Sequence, residues 1–235
     1  MRFLVLGLLV LLQACASVPN PNPNPDPRDP WESLNRNVYG VNDALDRSVL
    51  RPVAIAYRDG LPYWVRKGVS NFVGNLSDVW SGFNHAITLE GRAAKDSFGR
   101  VIINSTAGVL GIIDVATDLN LEKNPADFGV TLGRWGVSPG PYVVLPLLGP
   151  YTLREVVVLP LDRQANLVNQ IGNENLRTSL TVLNFVDDRA IYLKVTDVMD
   201  GAALDPYSFT RDAYLQRQRY RQFNGNPPEE IVVKP

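Results

Sequence analysis

The chain is poor in the residues that chemistry usually needs: one cysteine, one histidine and two methionines in 235 residues. A lone cysteine excludes an internal disulfide and a thiolate-built zinc site, since each takes at least two. The lone histidine, His85, leaves no H-E-x-x-H motif, and no G-x-S-x-G or glycine-rich phosphate loop occurs either. Charge of one sign is also missing. The 23 Lys and Arg are mixed evenly with 24 Asp and Glu, so no field favours nucleic acid as a partner. Apolar residues make up 45% of the chain, yet beyond the N-terminus none of the apolar runs reaches the length that spans a bilayer.

What is present starts at the N-terminus. Arg2 precedes an apolar run from Phe3 to Leu12, the layout of a secretory signal and too short to cross a ~30 Å hydrocarbon core. The run ends in Leu12-Gln13-Ala14-Cys15, which resembles a bacterial lipobox. On that resemblance residues 1–14 are a lipoprotein signal peptide, and Cys15 is acylated and becomes the new N-terminus. Buried acyl carbon contributes ~0.8 kcal/mol per CH₂, and stable anchoring takes more than one chain. The alternative is a secreted protein with an incidental thiol. Ala16 follows the cysteine, and by resemblance to sorted lipoproteins the destination is the periplasmic leaflet of the outer membrane. Residues 15–30 carry Pro19, Pro21, Pro23, Pro25, Pro27 and Pro30, expected to form a polyproline II tether rising ~3.1 Å per residue.

Residues 31–223 then form one domain, with a polar tail over 224–235. Trp31, Leu34, Val38, Val41, Leu45 and Val49 step by threes and fours, as do Val65, Val69, Phe72, Leu76, Trp80, Phe83 and Ile87 after Pro62. Gly68, Gly74 and Gly82 interrupt the second set at ~1 kcal/mol each, which close helix packing would offset. A third apolar segment runs from Phe98 to Val115. Between residues 135 and 162 the prolines are dense enough to exclude a continuous helix or a central strand, so a buried or membrane-facing extended segment is expected. Helical spacing resumes from Leu167, and a basic aromatic helix closes the domain. The fold class is mainly α.

Candidates for catalysis are His85, a carboxylate set among Asp114, Asp118 and Asp127, and the neighbours Asp187 and Asp188. A cap, a turn or a polar interface contact is the expected role for each, ahead of chemistry.

The blocks "DPWESLNRNVYGVNDALD", "LRPVAIAYRDGLP", "VRKGVSNFVGNLSDV", "GRVIINSTAGVLGIIDVAT", "DFGVTLGRWGVSPGPYVVLPLLGP" and "TLRE", with the closing "RDAYLQRQRYRQFNG", resemble the MlaA (VacJ) family of outer-membrane lipoproteins. The resemblance implies a ring-like bundle of amphipathic helices with irregular Pro/Gly-rich apolar loops, monotopic in the membrane. It implies no cofactor, no metal and no enzyme activity. Its implied function is to take phospholipids that strayed into the outer leaflet through an amphipathic channel, beside a trimeric porin, to a soluble periplasmic carrier (MlaC-like), so keeping the membrane asymmetric.

A lipid headgroup is costly to desolvate while its tails prefer hydrocarbon, so polar residues on embedded helices are candidates for the headgroup path. These are Asn35, Arg36, Asn42, Asn71, Asn75 and Asn104, each with helix capping or an interhelical hydrogen bond as its alternative. Trp31, Tyr39, Tyr63, Trp64, Trp80, Trp135 and Tyr142 are candidate interface anchors, their rings apolar and their tips polar. Two other functions stay open: a tethered porin-binding adaptor without transport, and a lipid-modifying enzyme using His85 or an aspartate pair.

Overall fold

The structure, a computed structural model, describes residues 25–228. The signal segment, Cys15, the tether as far as residue 24 and the tail from residue 229 lie outside the described residues. The first described residues are already docked. Asp29 is fully buried and accepts from Asn35 at 2.8 Å and from Tyr207 at 2.5 Å, so the tether expected to run to residue 30 gives way to folded chain by Asp26.

The first helical rod joins α1 (Glu32–Leu45), a π turn (Asp46–Leu50) and α2 (Arg51–Gly60). Pro52 has no N–H to donate and would break a straight α-helix. A wider turn just ahead of it, where Arg51 N–H reaches back to the Asp46 carbonyl, absorbs the mismatch. Leu61, extended before Pro62, stops the rod. The long α3 (Tyr63–Ile87) and α4 (Gly91–Thr106) follow, then the short α5 (Val115–Asp118) and α6 (Phe128–Arg134). Asp114 and Asp127 cap these two, accepting from the backbone of Thr117 and Val130.

The proline-rich middle differs from the extended irregular segment expected. It folds as a hairpin of β1 (Tyr142–Leu145) and β2 (Gly149–Thr152), antiparallel with Tyr142 opposite Thr152. Pro150 is tolerated because a two-stranded sheet consists only of edges. A helix then follows after all: α7 (Leu153–Ala165) runs through Pro160, held at its start by a Thr152–Glu155 capping box. A 3₁₀ turn (Leu167–Gln170), α8 (Glu174–Ala202) and α9 (Pro206–Gln222) complete the chain.

The glycines of α3 seat side chains rather than a neighbouring backbone. A Cβ at Gly82 would lie 2.8 Å from the Phe98 ring, and one at Gly68 would lie 3.0 Å from Ile112. Phe98 also meets Phe83 edge to face, which locks α4 on α3.

Contacts between elements close a circuit. α2 packs on α8, α8 on α3, α3 on α6, α6 on α7 and α9, α9 on β2, and β1 on α1, which continues into α2. A domain of this length usually has one contiguous apolar core. Among the described residues two apolar clusters form, small and separate, one around Ala54, Ala190 and Leu193, the other around Tyr142, Val144 and Tyr207. Burial is inverted. Among the described residues fourteen apolar side chains are buried against eighteen polar or charged ones, while thirty-seven large apolar side chains stand exposed. The stripe Val41, Leu45, Val49 and Val53 faces outward. Among the described residues no helix is long and apolar enough to cross a membrane. Outward apolar faces on non-spanning helices suit burial in one leaflet.

Candidate functional site

The inner face of the first rod does two jobs. Asn35 and Asn42, two turns apart, hold the hairpin. Asn35 donates to the Tyr142 carbonyl at 3.0 Å and accepts from Val144 N–H at 2.9 Å; Asn42 donates to the Leu145 carbonyl at 2.9 Å and accepts from Leu147 N–H at 2.8 Å. The amides thus act as a short extra strand, and the second clamp holds Leu147 at a φ of 65°.

Beyond Asn42 the same face turns charged. Asp43, Asp46, Arg47 and Arg51 line a cavity of about 230 Å³ with Arg189, Asp200, Tyr192 and Met199 of α8 and with Val144, Gly149 and Pro150 of the hairpin. Arg189 grips Asp46 with two nitrogens at 2.6 and 2.7 Å. Arg47 bridges Asp43 at 2.8 Å and Asp200 at 3.2 Å; Arg51 bridges Asp197 at 2.6 Å and Asp200 at 3.2 Å. Three arginines and three aspartates make the lining charge-balanced. The π turn, which begins at Asp46, runs along this wall of the cavity. Guanidinium forks match a phosphate as well as a carboxylate.

Of the six headgroup candidates, Asn42 alone is among the cavity's lining residues. Asn35 is spent on the hairpin. Arg36 pairs with Glu32 at 2.8 Å and Asp205 at 2.6 Å and lies 4.3 Å over the Tyr207 ring. Asn71 donates to the Ile112 carbonyl and Asn75 to Ser105, with the Asn75 side-chain oxygen buried and unpaired. Asn104 donates to Asp114 and accepts from Ala116 N–H. Asp114 also receives Arg100; burial pushes its carboxyl up, but the bonds from Thr117, Arg100 and Asn104 outweigh that and hold it at about 2. The residues missed by sequence reasoning are Asp46, Arg47, Arg51, Arg189 and Asp200. Their signal was the polar stripe Asn42, Asp43, Asp46 and Arg47 opposite the apolar one.

Among the anchor candidates, Trp31, Tyr63, Trp64 and Trp135 are exposed. Tyr142 is not an anchor: it is fully buried, in edge contact with Tyr207 and Tyr214. Tyr39 packs edge-on against Tyr207, and Trp80 donates to Asp162 at 2.8 Å, so both are turned to the interior. His85 is 1% exposed and both ring nitrogens are engaged, with the Asn124 carbonyl at 2.8 Å and Arg134 at 3.0 Å. Burial, opposed by the Asn124 bond and reinforced by Arg134, pushes its pKa down. Asp187 is buried beneath the hydroxyls of Tyr57 and Ser70. Among the described residues no group of His, Cys, Asp and Glu has the arrangement of a metal site.

Comparison with known proteins gives concordant matches. A family model described as MlaA lipoprotein matches residues 27–221. The Escherichia coli K12 protein called intermembrane phospholipid transport system lipoprotein MlaA is 35% identical over 214 residues, covering 89% of this chain and 84% of its own. An uncharacterised protein of Rickettsia bellii is 32% identical over 189 residues, 80% of this chain and 74% of its own. A solved structure reported as "Structural basis for maintenance of bacterial outer membrane lipid asymmetry" superposes with a TM-score of 0.73 at 34% identity, covering 84% of this chain and 99% of that one.

Proposed function

The chain belongs to the MlaA lipoprotein family, and on that premise we propose that it moves phospholipid in an intermembrane transport system that maintains outer-membrane lipid asymmetry. Cys15 anchors it to the periplasmic leaflet of the outer membrane, and the outward apolar faces of its helices lie within that leaflet. A trimeric porin is its neighbour there, and a soluble periplasmic carrier receives the lipid.

The observation that carries this reading is inverted burial around a charge-balanced cavity. A phospholipid needs a wet, charged track for its head and hydrocarbon for its tails. Desolvating an unpartnered phosphate costs several kcal/mol. In the cavity the phosphate takes the place of one aspartate on Arg51 or Arg189, so one ion pair is exchanged for another and little net free energy is needed. The displaced aspartate meets the headgroup's ammonium where there is one. Tyr39, Val144, Pro150 and Met199 give the same cavity its apolar wall.

The test is lipid transfer by the lipidated full chain in liposomes that hold a fluorescent phospholipid, with a soluble carrier as acceptor. Protein-dependent transfer, lost when Arg51 and Arg189 are both replaced by glutamine, is expected. Transfer that is absent from the intact protein, or equal in that variant, contradicts the reading.

A further inference from the structure

We propose that a second site, the groove between α2 and α8, seats one acyl chain of a membrane phospholipid. The groove measures about 910 Å³, shares no residue with the charged cavity, and is walled by Val53, Ala56 and Tyr57 on one side and Val182, Leu183 and Val186 on the other. Val53 and Val182 are 46% and 56% exposed, so the groove opens onto the outward apolar faces of the two helices. Where the helices touch, Ala54 meets Ala190 and Leu193. The Tyr57 hydroxyl is tied to Asp187 at 2.9 Å, which leaves its ring to the wall.

The order of chemistry along α8 sets the direction of the chain. Polar Glu174, Asn175, Thr178 and Ser179 come first, then the apolar wall from Val182 to Val186, then the ion-pair belt from Arg189 to Asp200. One leaflet of a ~30 Å hydrocarbon core gives a chain a reach of ~15 Å. At ~1.5 Å per residue that is about ten residues of helix. A chain whose head is held at Arg189 therefore ends beside Ser179, where the polar end of the groove begins. Head and tail thus find matching surfaces in sequence on one helix pair. The assignment rests on the phospholipid reading above. The acyl chains attached to Cys15 are the competing occupant, and the experiment separates the two.

The lipidated full chain is reconstituted in nanodiscs containing a phosphatidylethanolamine with a diazirine midway along one acyl chain, irradiated, and its labelled peptides are mapped by mass spectrometry. Label is expected to concentrate on residues 53–57 and 182–186. Ser179→Phe, an exposed substitution that fills the groove from its wall, should cut that label at least tenfold, and Ser179→Ala should leave it unchanged. The proposal is overturned if label is spread equally over other exposed apolar side chains such as Ile102 and Val157. It is overturned too if the groove stays unlabelled because the chain's own acyl groups fill it, or if Ser179→Phe has no effect. Lipid transfer measured on the same sample tells the two failures apart: intact transfer without groove label sinks this site alone, and loss of both sinks the transport reading as well.

Discussion

Replacing Arg189 by glutamine and Asp46 by asparagine, singly and together, separates a structural ion pair from a lipid seat. The pair is bidentate, and its side chains are 13% and 25% exposed. It lies between a surface pair, worth up to about 1 kcal/mol, and a buried one, whose breaking costs about 3–5 kcal/mol. Each single variant should therefore lose roughly 1–3 kcal/mol of stability, because each leaves one charge without its partner. The double variant removes both charges and should recover to within about 1 kcal/mol of the parent. Transfer behaves differently. A charged hydrogen bond to phosphate contributes about 1.5–3 kcal/mol, so losing Arg189 should slow lipid transfer by about 10- to 100-fold, and restoring stability should not bring it back. The assay pairs thermal unfolding in detergent with transfer from labelled liposomes. If the double variant regains transfer together with stability, Arg189 is only a strut and the exchange of carboxylate for phosphate is refuted.

Asn35→Ala strips the buried partners Asp29, Tyr142 and Val144 of their amide and should cost about 3 kcal/mol, while Asn71→Ala, with a single exposed bond, should stay within about 0.5 kcal/mol; equal melting temperatures would contradict the clamp. The fold lowers the His85 pKa, chiefly by burial, so around and below its ordinary value of 6.5 the unfolded chain binds more protons than the folded one. Stability should therefore fall as pH drops through that value towards the lowered folded pKa, and His85→Asn should flatten the profile between pH 7.5 and 5; a parent curve already flat there would be the contrary result. Cys15→Ala should leave an uncleaved, unacylated precursor in the inner membrane, and fractionation that finds it processed and in the outer membrane would contradict the anchor.

The helices were legible because their apolar residues repeat at helical spacing, as in Val41, Leu45 and Val49 and again from Val65 to Ile87. That spacing does not say which way a face points. In a soluble protein the stripe would be inside; here it is exposed, and only the placement of Asn35 and Asp46 shows it. The π turn was hidden because it depends on how Pro52 is accommodated, not on composition. The hairpin was hidden for the opposite reason: Pro146 and Pro150 argue against a central strand, and the rule holds, but a two-stranded sheet has none. The asparagines are headgroup candidates as polar residues on apolar helices, with a hydrogen bond between elements as the alternative, and the structure spends most of them on backbone groups. The arginines that line the cavity come from segments some 140 residues apart, so no local pattern joins Asp46 to Arg189.

The most direct test is a structure of the lipidated protein in a phospholipid nanodisc, at a resolution that shows phosphate. The account predicts a phosphate in the cavity between the π turn and α8, within hydrogen-bond reach of Arg51 or Arg189, with its tails leading towards the outward apolar faces. A cavity that holds only water, with the Arg189–Asp46 pair closed and every ordered headgroup at the outer rim, would contradict it.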